Sequence, residues 1–78
     1  MNKYLTTKLA EEAAEVAQAA CKVLLHQDKQ SRQVLLSEMA DVQAMLHLCM
    51  QRLGTKQRLQ MAHMVGARID REVKKGKA

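Results

Sequence analysis

No proline interrupts the 78 residues of this chain, and glycine occurs only at Gly54, Gly66 and Gly76. Proline breaks a helix because it lacks an amide donor and its ring clashes with the preceding turn. Its absence leaves long helices unopposed wherever the side chains favour them. Here they do: Ala, Leu, Met, Gln, Glu, Lys and Arg dominate, with one Tyr, no Phe and no Trp. These residue types lose least on entering a helix, and the β-branched and aromatic residues that suit strands are sparse. The chain is therefore expected to be all-α and, at this length, one domain over residues 1–78.

Apolar spacing then places the helices. Leu5, Leu9, Val16, Ala19 and Val23 recur at the three-and-four step of a helix seam. This first helix starts between Asn2 and Thr7, residues with capping chemistry, and ends near His26 or Gln27. The polar stretch Gln27–Ser31 breaks the pattern, and either Asp28 or Ser31 can cap the next helix. Leu35, Val42, Met45, Leu46 and Cys49 define that second helix, which stops at Leu53-Gly54, where Gly54 is expected to supply a left-handed terminal residue. Thr55 can then cap a third helix carrying Leu59, Ala62, Val65, Ile69 and Val73. Lys74, Lys75 and Lys77 at its end suit the negative pole of the helix dipole. The expected spans are about 4–27, 31–53 and 56–75, with short connections making neighbours antiparallel.

A chain this short buries only about 60% of its unfolded surface. Its two cysteines, Cys21 and Cys49, make no evident disulfide framework and read as free thiols. Association with copies of itself is the expected remedy. No secretory-signal pattern is visible, and no run approaches the roughly 18 to 20 apolar residues that span a bilayer, so a cytoplasmic protein is expected. Charge is uneven. Residues 1–51 carry five basic and six acidic side chains, and residues 52–78 carry eight basic and two acidic, for a net +5. Such a basic end suits nucleic acid, an anionic membrane or a phosphorylated ligand, or is simply a solvated helix terminus. His26, His47 and His63 share no metal-ligand spacing. The six Met read as adaptable core or interface filling. Gly66 marks either a close helix approach or a kink.

Two acids break the seams. In the series 5, 9, 12, 16, 19, 23, position 12 is Glu12; in the series 35, 38, 42, 45, 49, position 38 is Glu38. Glu15 follows Glu12 by three residues, and Asp41 follows Glu38 by three. Residues three apart share a helix face, so antiparallel pairing of the two helices brings four carboxylates together. Close anions repel, and an unpaired buried charge costs several kcal/mol. Protons can neutralise the group, or hard divalent cations can bind in it. Oxygen-only ligands suit Mg²⁺ or Mn²⁺. Alternatively, each acid is an ordinary exposed helix residue.

The pattern Glu-Glu-x-x-Glu at Glu11, Glu12 and Glu15, with Glu-x-x-Asp at Glu38 and Asp41, resembles the signature of the MazG-like all-α nucleoside triphosphate pyrophosphohydrolases. Twenty-two residues separate Glu15 from Glu38, within that family's spacing. The flanks Lys8–Val16 and Leu36–Val42 are also similar to the family's helices. The resemblance covers roughly residues 5–53 and implies that Glu12, Glu15, Glu38 and Asp41 are Mg²⁺ ligands. It implies catalytic roles for Glu38 and for Glu11, the latter as an auxiliary ligand or a holder of the attacking water. The implied reaction takes a nucleoside triphosphate to the monophosphate and pyrophosphate. The implied assembly is a dimer or tetramer with four-helix cores built across subunits.

In such a reaction cations hold the phosphate tail. Lys8 and Lys22 stand seven residues either side of Glu15 and share its face, and Arg68 and Arg71 on the third helix are further candidates. Lys8 can instead pair with Glu12 at i,i+4. A phosphoribosyl-ATP pyrophosphohydrolase is the nearest alternative. That branch carries Tyr-His where this chain has Ala44 and Met45, which ranks it lower. A homologue that binds nucleotide without turnover is a second alternative. A basic helical module for nucleic acid or a protein partner is a third, disfavoured for nucleic acid by the lack of stacking aromatics. The first motif lies near the start of the chain, where many relatives have an additional nucleotide-contacting helix, so base selection stays open.

Overall fold

The structure, a computed structural model, describes residues 2–76 as three α-helices: α1 (Lys3–His26), α2 (Lys29–Met50) and α3 (Thr55–Lys74). There is no strand among the described residues, and Met1, Lys77 and Ala78 lie outside them. No described helix is long and apolar enough to cross a membrane.

Local chemistry sets the ends. Asn2 is extended, and its side-chain oxygen accepts the Leu5 amide at 2.7 Å. Asp28 does the same for the Ser31 amide at 2.7 Å. Asp28 is therefore the cap and Ser31 its donor, which starts α2 at Lys29 rather than 31. α1 closes on Gln27, whose backbone is left-handed at φ 54° and whose amide returns to the Val23 carbonyl at 2.8 Å. Gly54 is not the left-handed residue expected of it. Its φ is −75°, and it is the N-cap of α3, its amide donating to the Gln57 side chain at 3.2 Å. Thr55 is thus the first residue of α3 and not its cap. α2 ends at Met50 in a tightened turn, with the Arg52 and Leu53 amides returning to the Cys49 and Met50 carbonyls at 3.0 and 3.1 Å. Such a turn needs no positive φ.

A left-handed residue with a side chain costs roughly 1–2 kcal/mol, a penalty glycine does not carry. Gln27→Gly is accordingly expected to raise the unfolding free energy by about 1 kcal/mol. The check is a higher denaturant midpoint at unchanged slope. No gain would mean that the Gln27 side-chain amide, 3.5 Å from the Leu24 carbonyl, offsets the strain.

α1 and α2 pack as an antiparallel hairpin over a two-residue connection, Gln27 and Asp28. The seam positions are the covered ones. Leu5, Ala19 and Cys49 are buried. Leu9, Glu12, Val16 and Val23 on α1 are half-buried, as are Leu35, Glu38, Val42 and Met45 on α2. α3 departs from expectation. It leaves the hairpin with almost no packing against either helix. Its seam residues Leu59, Ile69 and Val73 are 59%, 57% and 54% exposed. α1 and α2 spend their seams on one another, so α3 finds none to meet in its own chain.

The result is a flat molecule whose Cα atoms span 42 × 35 × 13 Å. It exposes 6398 Å². A compact monomer of 8.8 kDa exposes about 4,800 Å². The excess of about 1,600 Å² per chain is about twice what each partner contributes to one standard protein–protein interface.

Candidate metal centre

The antiparallel pairing of α1 and α2 sets Glu12 and Glu15 opposite Glu38. Each of the three offers a carboxylate oxygen, and these oxygens all lie within 4.8 Å of one another. Glu12 and Glu38, at the seam positions, are half-buried, whereas Glu15 and Asp41, off the seam, are exposed. Asp41 falls outside the close triad, yet its charge reaches both Glu12 and Glu38.

Two oxygens stand out. Glu12 Oε2 and Glu38 Oε2 are buried and have no hydrogen-bond partner. Buried polar atoms are normally satisfied, and a buried anion without a donor is costly. The electrostatics agree. Burial raises the Glu12 pKa above its ordinary 4.5, the charges of Glu15 and Asp41 add to the rise, and Lys8 partly offsets it. Glu38 is raised first by its hydrogen-bonding approach to Glu15, then by burial and by the charges of Glu15, Asp41 and Glu12. The group therefore holds on to protons or accepts a cation. Oxygens around one octahedral Mg²⁺ lie about 3 to 4.2 Å apart, a range comparable to the triad's separations of up to 4.8 Å. All donors are hard carboxylates, which fits Mg²⁺ or Mn²⁺.

The other candidates fall into three places. Lys8 Nζ lies 3.2 Å from Glu11 Oε2 and 4.0 Å from Glu12 Oε1. Glu11 raises its pKa, so Lys8 is committed to its own helix, and more closely at i,i+3 than at i,i+4. Glu11 is exposed and meets the cluster through Lys8 rather than as a member of the triad. Lys22 lines a groove of about 310 Å³ together with Glu15, Gln18, Ala19, Val34 and Glu38, directly beside the carboxylates. Arg68 and Arg71 ride on α3 and are not brought to the hairpin's acids within one chain. Gln18 is the groove residue that sequence reasoning passes over. Its signal is its place three residues after Glu15, on the same face.

No protein family, no curated protein and no solved structure matches the chain. The molecule itself defines a class: a helical hairpin with a partly buried interhelical carboxylate cluster and a detached basic third helix.

Proposed function

We propose that this chain is a Mg²⁺-dependent nucleoside triphosphate pyrophosphohydrolase of the MazG-like all-α kind. It would convert a (d)NTP to the (d)NMP and pyrophosphate in cytoplasmic nucleotide-pool control. One observation carries the reading. Glu12 and Glu15 of α1 meet Glu38 of α2 with carboxylate oxygens within 4.8 Å of one another, and two of those residues' oxygens are buried without partners. Neither a solvated helix face nor an apolar core calls for that arrangement.

Glu12, Glu15 and Glu38, with Asp41 beside them, are the ligands in this reading. Mn²⁺ is the alternative ion. These carboxylates would hold a divalent cation, which would supply neutralising charge for the triphosphate and Lewis acidity towards water. Glu38 is the candidate base, since the neighbouring carboxylates and burial raise its pKa and so make its carboxylate a stronger proton acceptor. Lys22 lines the groove beside the carboxylates, where it would meet the triphosphate tail in this reading. Lys8, one turn before Glu12 and bonded to Glu11, borders the cluster with its Nζ 4.0 Å from Glu12 Oε1. Arg68 and Arg71 contribute only if a second copy presents them. The surface left bare by one chain supports a homodimer or homotetramer.

The test is a pyrophosphate-release screen over NTPs, dNTPs and modified nucleotides with Mg²⁺, Mn²⁺ or chelator. Metal-dependent release with one monophosphate per pyrophosphate is expected. Silence across the panel with both metals, or release unaffected by chelator, would sink the reading.

A further inference from the structure

α3 carries a stripe that its own chain leaves bare. Leu59, Ala62, Gly66, Ile69 and Val73 come at steps of three and four, the spacing of a two-helix seam. A Cβ built on Gly66 meets nothing within 4 Å. Ala62 and Gly66 thus leave a shallow trough on this face, bordered by Leu59, His63 and Asp70. The stripe runs about 21 Å along the helix.

Four charges beside the stripe are placed unfavourably for a lone helix, although Arg71 and Lys74 in the last turn suit the dipole. Anions stabilise a helix start and cations its end. α3 has no acid in its first turn. Lys56 and Arg58 open it, and its only acids, Asp70 and Glu72, stand near its end. Among the described residues, Lys56, Arg58 and Asp70 make no ion pair, and Glu72 reaches only Lys75, at 3.5 Å. Arg58 does spend its Nε on the Leu53 carbonyl at 3.1 Å, which leaves its terminal nitrogens free for an acid.

One partner resolves both features. We propose that α3 pairs antiparallel with α3 of a second copy, about a two-fold axis near Met64. The heptad register then sets Leu59 opposite Ile69 of the partner subunit. It sets Ala62 opposite Gly66 of the partner subunit, so small residues meet where the helices cross most closely. On the flanks, Arg58 faces Glu72 of the partner subunit and Lys56 faces Asp70 of the partner subunit. Each pair occurs twice by symmetry, as an isologous interface requires. The bare surface of each chain, about 1,600 Å² beyond that of a compact monomer, is ample for such an interface. None of these residues belongs to the carboxylate cluster, so this surface stands or falls independently of the proposed activity.

Sedimentation equilibrium of the full chain tests it. The natural chain is expected to be a dimer or a multiple of one. Ile69→Asp should lose this association while the α1–α2 hairpin keeps its cooperative melting by circular dichroism, because α3 hardly touches the hairpin. Arg58→Glu and Glu72→Arg should each raise the dissociation constant about tenfold by turning two attractions into repulsions. Together they should return it to near the original value. A chain that is monomeric at every concentration overturns the proposal. So does a double variant that associates no better than the singles, which would place some other surface against α3.

Discussion

Glu38→Gln is expected to cut metal-dependent pyrophosphate release by about 10²- to 10⁴-fold, the range spanned by loss of a positioned base. It should also raise the melting temperature of the metal-free chain at neutral pH. The two effects have one cause. Glu38 lies among Glu15, Glu12 and Asp41, all of which work against its ionisation. An amide of nearly the same shape removes one of the clustered charges and brings a donor to its neighbours. The site is thus held at a cost to stability, as is common where function demands strain. Two readouts keep the test decisive. Activity and the Mg²⁺-induced rise in melting temperature should both shrink. A variant with full activity would remove Glu38 from the chemistry. One whose metal-free stability falls would mean that the carboxylate is an ordinary structural partner.

The second large effect is a pH dependence with an unusual direction. Glu12 and Glu38 have folded-state pKa values raised above 4.5. Between 4.5 and those raised values the folded chain keeps protons that the unfolded chain has lost. Stability therefore falls as pH rises through that window and is level above it. Asp28 works in the opposite sense. Its bond to Ser31 lowers its pKa below the ordinary 3.8. The capping contribution is present above 3.8 and disappears as pH falls through the depressed value. Without divalent cations, the melting temperature should decline as pH rises from about 4.5 through those raised values and level off above them. Saturating Mg²⁺ should flatten that decline, since the cation takes the place of the protons. A metal-free profile that rises from pH 4.5 to 7 would show that the carboxylates are not crowded in solution.

The hairpin is legible in the sequence almost position by position. Burial by one neighbouring helix obeys the 3.6-residue period, so the series through Leu5 and through Leu35 name the covered faces, Glu12 and Glu38 included. Because those two acids sit where apolar residues belong, their convergence can be inferred from spacing alone. α3 shows the limit. Its seam is as regular as the others, but periodicity defines a face and not what lies against it, and the face is bare within the chain. Arg68 and Arg71 are unreadable for the same reason, since their relation to the acids depends on the path taken after Leu53. Lys8 is ambiguous because i,i+3 and i,i+4 neighbours lie equally close on a helix, and Glu11 sits nearer than Glu12. Glycine adopts the left-handed conformation most cheaply, which points to Gly54. The chain places that conformation at Gln27 instead, where closure of a two-residue connection demands it.

That connection has a meaning beyond the strain it stores. Gln27 and Asp28 determine which turn of α2 stands level with Glu12 and Glu15. One residue of helix corresponds to a 100° rotation and a 1.5 Å shift. A descendant chain with a longer link could preserve all of the acids and their three-residue steps, yet present them at different heights or on different faces. The length of the link is therefore part of the motif itself. Two sequences that share the acids share the site only if they also share the ruler between them.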